Sequence, residues 1–269
     1  MTDTQTGYAP VNGLEMYYEV HGEGEPLVVL HGAYMTVDTM GEIVPMLAET
    51  RKVIAVELQA HGRTADIERP ITYEQMADDV AALIEHLGIE KADLFGYSMG
   101  GAVALQTAVR HPGMVRKLVL ASASYTSDGA HPELFDTIEH ITPEVFAGSP
   151  IEAAYLEVAP NPNDFPKLVE KLKKLDMTPF EWDISGISAP TLLIVGDSDA
   201  IRLEHVVEMF RILGGGVMGD LAGLPKSRLA VLPATSHFIP PGSGMLDRAD
   251  LLAPMIGEFL DAPEEGEGE

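Results

Sequence analysis

Three residue types that together can open an acyl bond occur in this chain in a set order. They are a serine, Ser98, two aspartates in one short stretch, Asp197 and Asp199, and a histidine, His237. A serine hydroxyl is a poor nucleophile near neutral pH. It needs a base to take its proton, and the base needs a carboxylate to orient it and to stabilise its charged form. Ser98 sits in Asp93-Leu94-Phe95-Gly96-Tyr97-Ser98-Met99-Gly100-Gly101-Ala102-Val103-Ala104-Leu105. The stretch opens apolar, as a buried strand does, places the serine between glycines, and continues as an apolar, Ala-rich helix. Gly-x-Ser-x-Gly in that setting is a sharp elbow that lifts the hydroxyl clear of the sheet. Neighbours with a Cβ would collide with the crossing strand and helix. The N–H groups that follow the serine, and the helix N-terminus, point to where an oxyanion would form. The five residues alone also fit a Gly-rich turn with a surface serine, so the decision rests on the rest of the chain.

The elements that must position these groups alternate. Residues 8–11, Asn12-Gly13 and 14–20 read as a β-hairpin, because Asn-Gly supplies positive φ angles. Pro26-Leu27-Val28-Val29-Leu30 and Lys52-Val53-Ile54-Ala55-Val56-Glu57-Leu58 are short continuous apolar runs, as in strands buried on both faces. A helix is expected over 38–48. Another starts at the capping pattern Thr72-Tyr73-Glu74-Gln75, carries Met76, Val80, Leu83, Ile84 and Leu87 on one side, and ends at Gly88. Further strands are expected at 116–123, 190–195 and 228–232, with helices at 203–213 and 247–260. Residues 125–186 hold no strand-like run and show helical patterns at 131–141, 151–158 and 165–175. The predicted organisation is therefore a core over 1–124, a helical cap or lid inserted over 125–186, the rest of the core over 187–261, and a disordered acidic tail over 262–269. Strands alternating with helices imply a mostly parallel sheet covered on both faces, with its site beyond the C-terminal strand ends. Ser98, His31-Gly32-Ala33, Asp197/Asp199 and His237 all fall at such ends.

Length and composition narrow the chemistry. The chain has 269 residues, 46% of them hydrophobic, and no cysteine. Disulfides, thiolate nucleophiles and Cys-based metal sites are excluded. The formal charge of −25 opposes nucleic-acid binding and anionic membranes. No run is long enough to span a bilayer, and the first residues lack the basic and apolar regions of a signal peptide, so a cytoplasmic location is expected. No His-Glu-x-x-His pattern and no phosphate-binding loop occur. Gly214-Gly215-Gly216-Val217-Met218-Gly219 matches a dinucleotide fingerprint in letters only, because it follows a helix rather than a strand. No cofactor and no metal are expected. The oligomeric state is left open.

His237, in the loop after the last strand and before the terminal helix, is the expected base. Asp199 is the preferred acid, with Asp197 shaping the turn. Ala33 and Met99 are expected to offer oxyanion N–H groups. The His31 side chain is expected to be buried and hydrogen-bonded, and the other histidines structural or solvated. Apolar candidates for the substrate pocket are Tyr34, Tyr125, Trp182, Ile201 and Phe238, along with Met35, Phe146 and Tyr155. Lys171, Lys173 and Lys174 read as a solvated helix face.

Across nearly its whole length the chain resembles the α/β-hydrolase superfamily. The resemblance is carried by Leu30-His31-Gly32-Ala33, Gln59-Ala60-His61-Gly62-Arg63-Thr64, Gly96-Tyr97-Ser98-Met99-Gly100-Gly101, Leu193-Ile194-Val195-Gly196-Asp197-Ser198-Asp199 and Ser236-His237-Phe238. It implies the α/β-hydrolase fold and the order Ser98, Asp, His237. The family acid usually lies three residues after the strand-ending glycine, which matches Asp199. The oxyanion donors align with Ala33 and Met99. The branches it looks most like are small esterases, enol-lactone hydrolases and C–C bond hydrolases. The chain departs from the family at Glu57-Leu58-Gln59-Ala60-His61-Gly62-Arg63-Thr64, where Asp-x-x-Gly-His-Gly-x-Ser is usual. The expected activity is hydrolysis of a small-to-medium, neutral, apolar ester or lactone, a small-molecule substrate. The alternatives are C–C hydrolysis, a cofactor-free haloperoxidase or perhydrolase on the same residues, and a non-catalytic binding module on the same fold.

Overall fold

In the computed structural model of the protein, residues 4–238 and 241–263 are described. Residues 264–269 of the expected acidic tail lie outside them. Asn12 and Gly13 take φ values of 48° and 87°, and fold β1 (Gln5–Val11) back on β2 (Leu14–His21) as an antiparallel hairpin. Then come β3 (Pro26–Leu30), β4 (Lys52–Val56), β5 (Ala92–Tyr97), β6 (Val115–Ala121), β7 (Thr191–Ser198) and β8 (Arg228–Ser236). They form one sheet in the order β1-β2-β4-β3-β5-β6-β7-β8. β2 is antiparallel to both neighbours, and every other pairing is parallel.

The short apolar runs are buried on both faces because alternate residues serve two cores. Val28 and Leu30 pack with Ile54, Leu94 and Leu120 on one side, while Leu27 and Val29 pack with Val53, Phe95 and Val119 on the other. α1 (Ile43–Leu47) and α9 (Ala249–Asp261) cover the second side. α2 (Tyr73–His86), α3 (Met99–Arg110) and α7 (Leu203–Ile212) cover the first. α2 starts where Gln75 N–H donates to Thr72 Oγ1 at 3.1 Å. The helix expected over 38–48 is not continuous. A 3₁₀ turn at Val37–Met40 is separated from α1 by Gly41 at φ 64°, a conformation outside the helical region.

Between β6 and β7 the chain carries α4 (Pro132–Glu139), α5 (Pro150–Val158) and α6 (Phe165–Asp176). Each has a proline in its first turn, where the missing N–H costs nothing. The apolar stripe of α6, Phe165, Leu168, Val169, Leu172 and Leu175, is buried. Lys171 is not on a solvated face. Its ammonium reaches Asp66 at 2.7 and 2.8 Å, the Ile67 carbonyl at 3.0 Å and the Arg69 carbonyl at 2.8 Å, tying α6 to the segment after β4. The expectation failed because helical spacing shows which residues share a face but not what packs against it. A short helix, α8 (Gly219–Ala222), follows the Gly214–216 connection.

The strand order reverses at β3, which has β4 on one side and β5 on the other. The loops leaving β3 and β5 therefore diverge from adjacent strand ends and open a crevice between them, the usual ligand position in such sheets. Leu30 pairs with Gly96, so the residues just beyond, Gly32-Ala33 and Ser98, lie side by side.

Candidate active site

Ser98 is held at φ 54°, ψ −119°, a backbone region that side chains rarely occupy. Two glycines make the elbow possible. A Cβ on Gly96 would lie 2.2 Å from the Gly100 carbonyl oxygen, and one on Gly100 would lie 2.3 Å from that of Leu30. The elbow is fastened by Ser98 N–H donating to Ala121 O at 2.9 Å and Ala102 N–H donating to Ser98 O at 3.1 Å. Met99, directly after the serine, is the first residue of α3, where N–H groups have no partner within the helix.

Ser98 Oγ lies 2.8 Å from His237 Nε2, and His237 Nδ1 lies 2.8 Å from Asp199 Oδ1. The carboxylate side accepts from Nδ1–H, which leaves Nε2 to accept from the serine hydroxyl. Three further donors hold Asp199. Ser122 Oγ–H reaches Oδ2 at 2.6 Å, Gly196 N–H reaches Oδ2 at 3.2 Å, and Ile201 N–H reaches Oδ1 at 3.1 Å. Burial pushes the Asp199 carboxyl up, but the bonds from His237 and Ser122 and the histidine charge outweigh it, and the group lies below its ordinary range. Asp197 is turned elsewhere. It accepts from Ala234 N–H at 2.9 Å and Thr235 N–H at 3.2 Å, and so ties the end of β7 to β8. His237 is anchored through its backbone, since Tyr97 Oη–H donates to its carbonyl at 2.7 Å.

The loop after β3 is supported from below by two buried imidazoles. His31 Nδ1 bonds the Gly32 carbonyl at 2.8 Å, and its Nε2 accepts from Leu58 N–H at 3.1 Å. His61 Nδ1 bonds the Gln59 carbonyl at 2.9 Å, and its Nε2 accepts from Tyr34 N–H at 3.3 Å. Burial lowers His31 to about 4. Burial, with His31 alongside, lowers His61 to about 3. Both rings are therefore neutral near pH 7, with one nitrogen left as an acceptor for a loop N–H.

A cavity of about 450 Å³ opens over Ser98. Ala33, Met99, Tyr34, Ile201, Phe238 and Met35 line it with Ser98 and His237. Leu134, Phe135, Ile138, Ile151 and Phe180 of the helical segment and its flanks complete the wall. Phe238 is half exposed, at 50%. Tyr125 and Trp182 do not line it. Tyr125 stacks on His205 with ring centroids 4.6 Å apart, and Trp182 stacks on Phe180 at 4.3 Å. Their aromatic surface is used to pack the helical segment against the core. Phe146 and Tyr155 are likewise buried in packing around Phe165. Sequence reading missed Ser122, Tyr97 and Asp176. Ser122 and Tyr97 fall at the ends of expected strands but carry no local signal, since their partners lie 77 and 140 residues away.

Residues 25–170, more than half of the chain, match the family model described as alpha/beta hydrolase fold. The chain belongs to this family. It is similar to an uncharacterized hydrolase, YugF, of Bacillus subtilis, at 24% identity over 93% of this chain and 96% of that one. Among solved structures, a meta-cleavage product hydrolase from Pseudomonas fluorescens superposes with a TM-score of 0.74 at 20% identity, covering 95% of this chain and 97% of that one. The enol-lactonase from Burkholderia xenovorans gives 0.70 at 21% identity, covering 95% and 100%. Family membership makes this chain a hydrolase, and the structural likenesses carry the fold. No helix among the described residues is long and apolar enough to cross a membrane.

Proposed function

We propose that this α/β-hydrolase cleaves small-to-medium, neutral, apolar carboxylic esters or lactones through an acyl-enzyme on Ser98. The observation that carries the reading is the unbroken chain of 2.8 Å contacts from Ser98 Oγ through His237 to Asp199, at the mouth of a mostly apolar cavity. Ser98 Oγ attacks the acyl carbonyl while His237 Nε2 takes its proton. Asp199 holds the imidazole in the tautomer that accepts, and stabilises the imidazolium. The N–H groups of Met99 and Ala33 receive the oxyanion. His237 returns the proton to the leaving alkoxide, and water then repeats the cycle to release the acid. The helical cap over 125–186 selects the substrate, because it supplies much of the cavity wall.

The same three side chains could cleave a carbon–carbon bond in a dienoic ketone. Such substrates bring a carboxylate, and no Lys or Arg lines the cavity among the described residues, which favours the neutral ester. The test is labelling of Ser98 by a fluorophosphonate, combined with turnover of p-nitrophenyl butyrate, a lactone panel and a dienoic ketone. Ser98→Ala is expected to lower kcat by about 10⁴–10⁶-fold. A protein that fails to take the label would be a binding module instead, and one that turns over only the ketone would be a C–C hydrolase.

A further inference from the structure

We propose that Asp176, Tyr34 and Tyr73 form a polar subsite, in the cavity that Ser98 opens into, which receives a hydroxyl on the buried chain of the ester. The three residues come from separate elements, the last position of α6, the loop after β3 and the first position of α2, and all line the cavity. Asp176 is the one carboxylate among the described lining residues. Its half-buried carboxylate makes no hydrogen bond and no ion pair with any described group, whereas the buried carboxylates of Asp199 and Asp79 are paired with His237 and Arg69. The Tyr34 hydroxyl is buried and has no partner among the described residues. Tyr73 is 9% exposed, and its ring packs on Phe180 and Trp182.

A residue at a helix C-terminus meets the negative end of the helix dipole, which disfavours an anion. Asp176 is half-buried on the cavity wall, and the desolvation it suffers there pushes its carboxyl up to about 7. Its charge also lies close enough to Tyr34 and Tyr73 to add to the effect of burial in keeping their phenols protonated. Polar groups left without protein partners on the wall of a ligand cavity are what a ligand's own polar group would satisfy. A hydroxyl fits this set, since it can donate to the carboxylate and accept from a phenol. An ammonium would have to leave water as a full charge, at a far larger desolvation cost.

The proposal rests on the serine-hydrolase reading, and the test separates the two. Wild-type enzyme is compared on p-nitrophenyl 6-hydroxyhexanoate, 6-aminohexanoate and hexanoate, and on the monoacetate of hexane-1,6-diol and the acetate of hexan-1-ol. The hydroxylated ester is expected to win in at least one panel. Asp176→Leu should lower the hydroxyl-to-methyl ratio of kcat/KM by about 10-fold or more, and Tyr34→Phe by about 3-fold, while Asp176→Asn should keep most of the preference. Binding of hexane-1,6-diol against hexan-1-ol, followed by calorimetry, needs no turnover and reads the subsite even if Ser98 is inert or Asp176→Leu fails to fold. Tighter binding of the diol supports the subsite. Equal binding, an unchanged ratio in the Asp176 and Tyr34 variants, or a preference for the amine overturns it. Absence of turnover on every ester alongside tighter diol binding would sink the hydrolase reading and leave the subsite standing.

Discussion

The pairing of Ser198 with Ser236 at the ends of β7 and β8 leaves Asp199 and His237 side by side one residue further on, with Oδ1 and Nδ1 2.8 Å apart. Asp197, two residues earlier near the end of β7, instead holds two backbone N–H groups of β8. Asp199→Asn should therefore lower kcat by about 10³–10⁴-fold, because an amide no longer fixes the accepting tautomer. Asp197→Asn should change kcat by less than about 10-fold. Steady-state kinetics of the two variants on one ester decides the assignment.

Ser122 donates to the outer oxygen of Asp199 at 2.6 Å and helps to hold that carboxyl below its ordinary range. Removing the donor in Ser122→Ala lets the Asp199 pKa rise. The carboxylate is then protonated at a higher pH than in the wild type, and an NMR titration of the Asp199 carboxyl carbon should show its midpoint moved upward. An unmoved midpoint would mean that Ser122 contributes nothing to the charge of Asp199.

Lys171 makes four hydrogen bonds to Asp66, Ile67 and Arg69 from the middle of α6. Lys171→Met keeps the aliphatic stem and removes the ammonium, leaving the Asp66 carboxylate with fewer donors. Amide exchange should accelerate over 132–176 while β5 and α3 stay protected. KM should rise with little change in kcat, since the cavity wall loosens and the elbow does not.

Asp176 also makes stability depend on pH. Its carboxyl is pushed by burial to about 7 in the folded protein, whereas an unfolded chain titrates it near about 4. Between these values the folded state binds more protons than the unfolded one, so stability falls as pH rises through this window. Asp176→Asn removes the ionisation. At pH 8 the variant should be more stable than wild type by about 2–4 kcal/mol, and at pH 4 the two should match. Urea unfolding at the two pH values measures the difference.

The local chemistry of the elbow was legible in the residues. A serine between Gly96 and Gly100, preceded by an apolar run and followed by an Ala-rich one, permits few backbone paths, because a Cβ at either glycine meets a carbonyl oxygen near 2.2–2.3 Å. The alternation of strands and helices, the Asn12-Gly13 turn and the three helices between β6 and β7 were legible for the same reason. Their signals lie within a few residues of one another. The helix expected over 38–48 was overread, since one glycine at positive φ divides it.

What tertiary structure alone decided is which side chains meet across the sheet. Strand order set the reversal at β3 that brings Ala33 beside Ser98, and the register of β7 on β8 chose Asp199 over Asp197 as the partner of His237. Tyr125 and Trp182 were turned into packing, while Asp176, on a helix with no motif around it, was brought to the cavity wall. Sequence spacing constrains neighbours through backbone geometry. Contacts between residues dozens of positions apart depend on how whole elements pack, and that is settled by the summed burial of the core rather than by any one residue type.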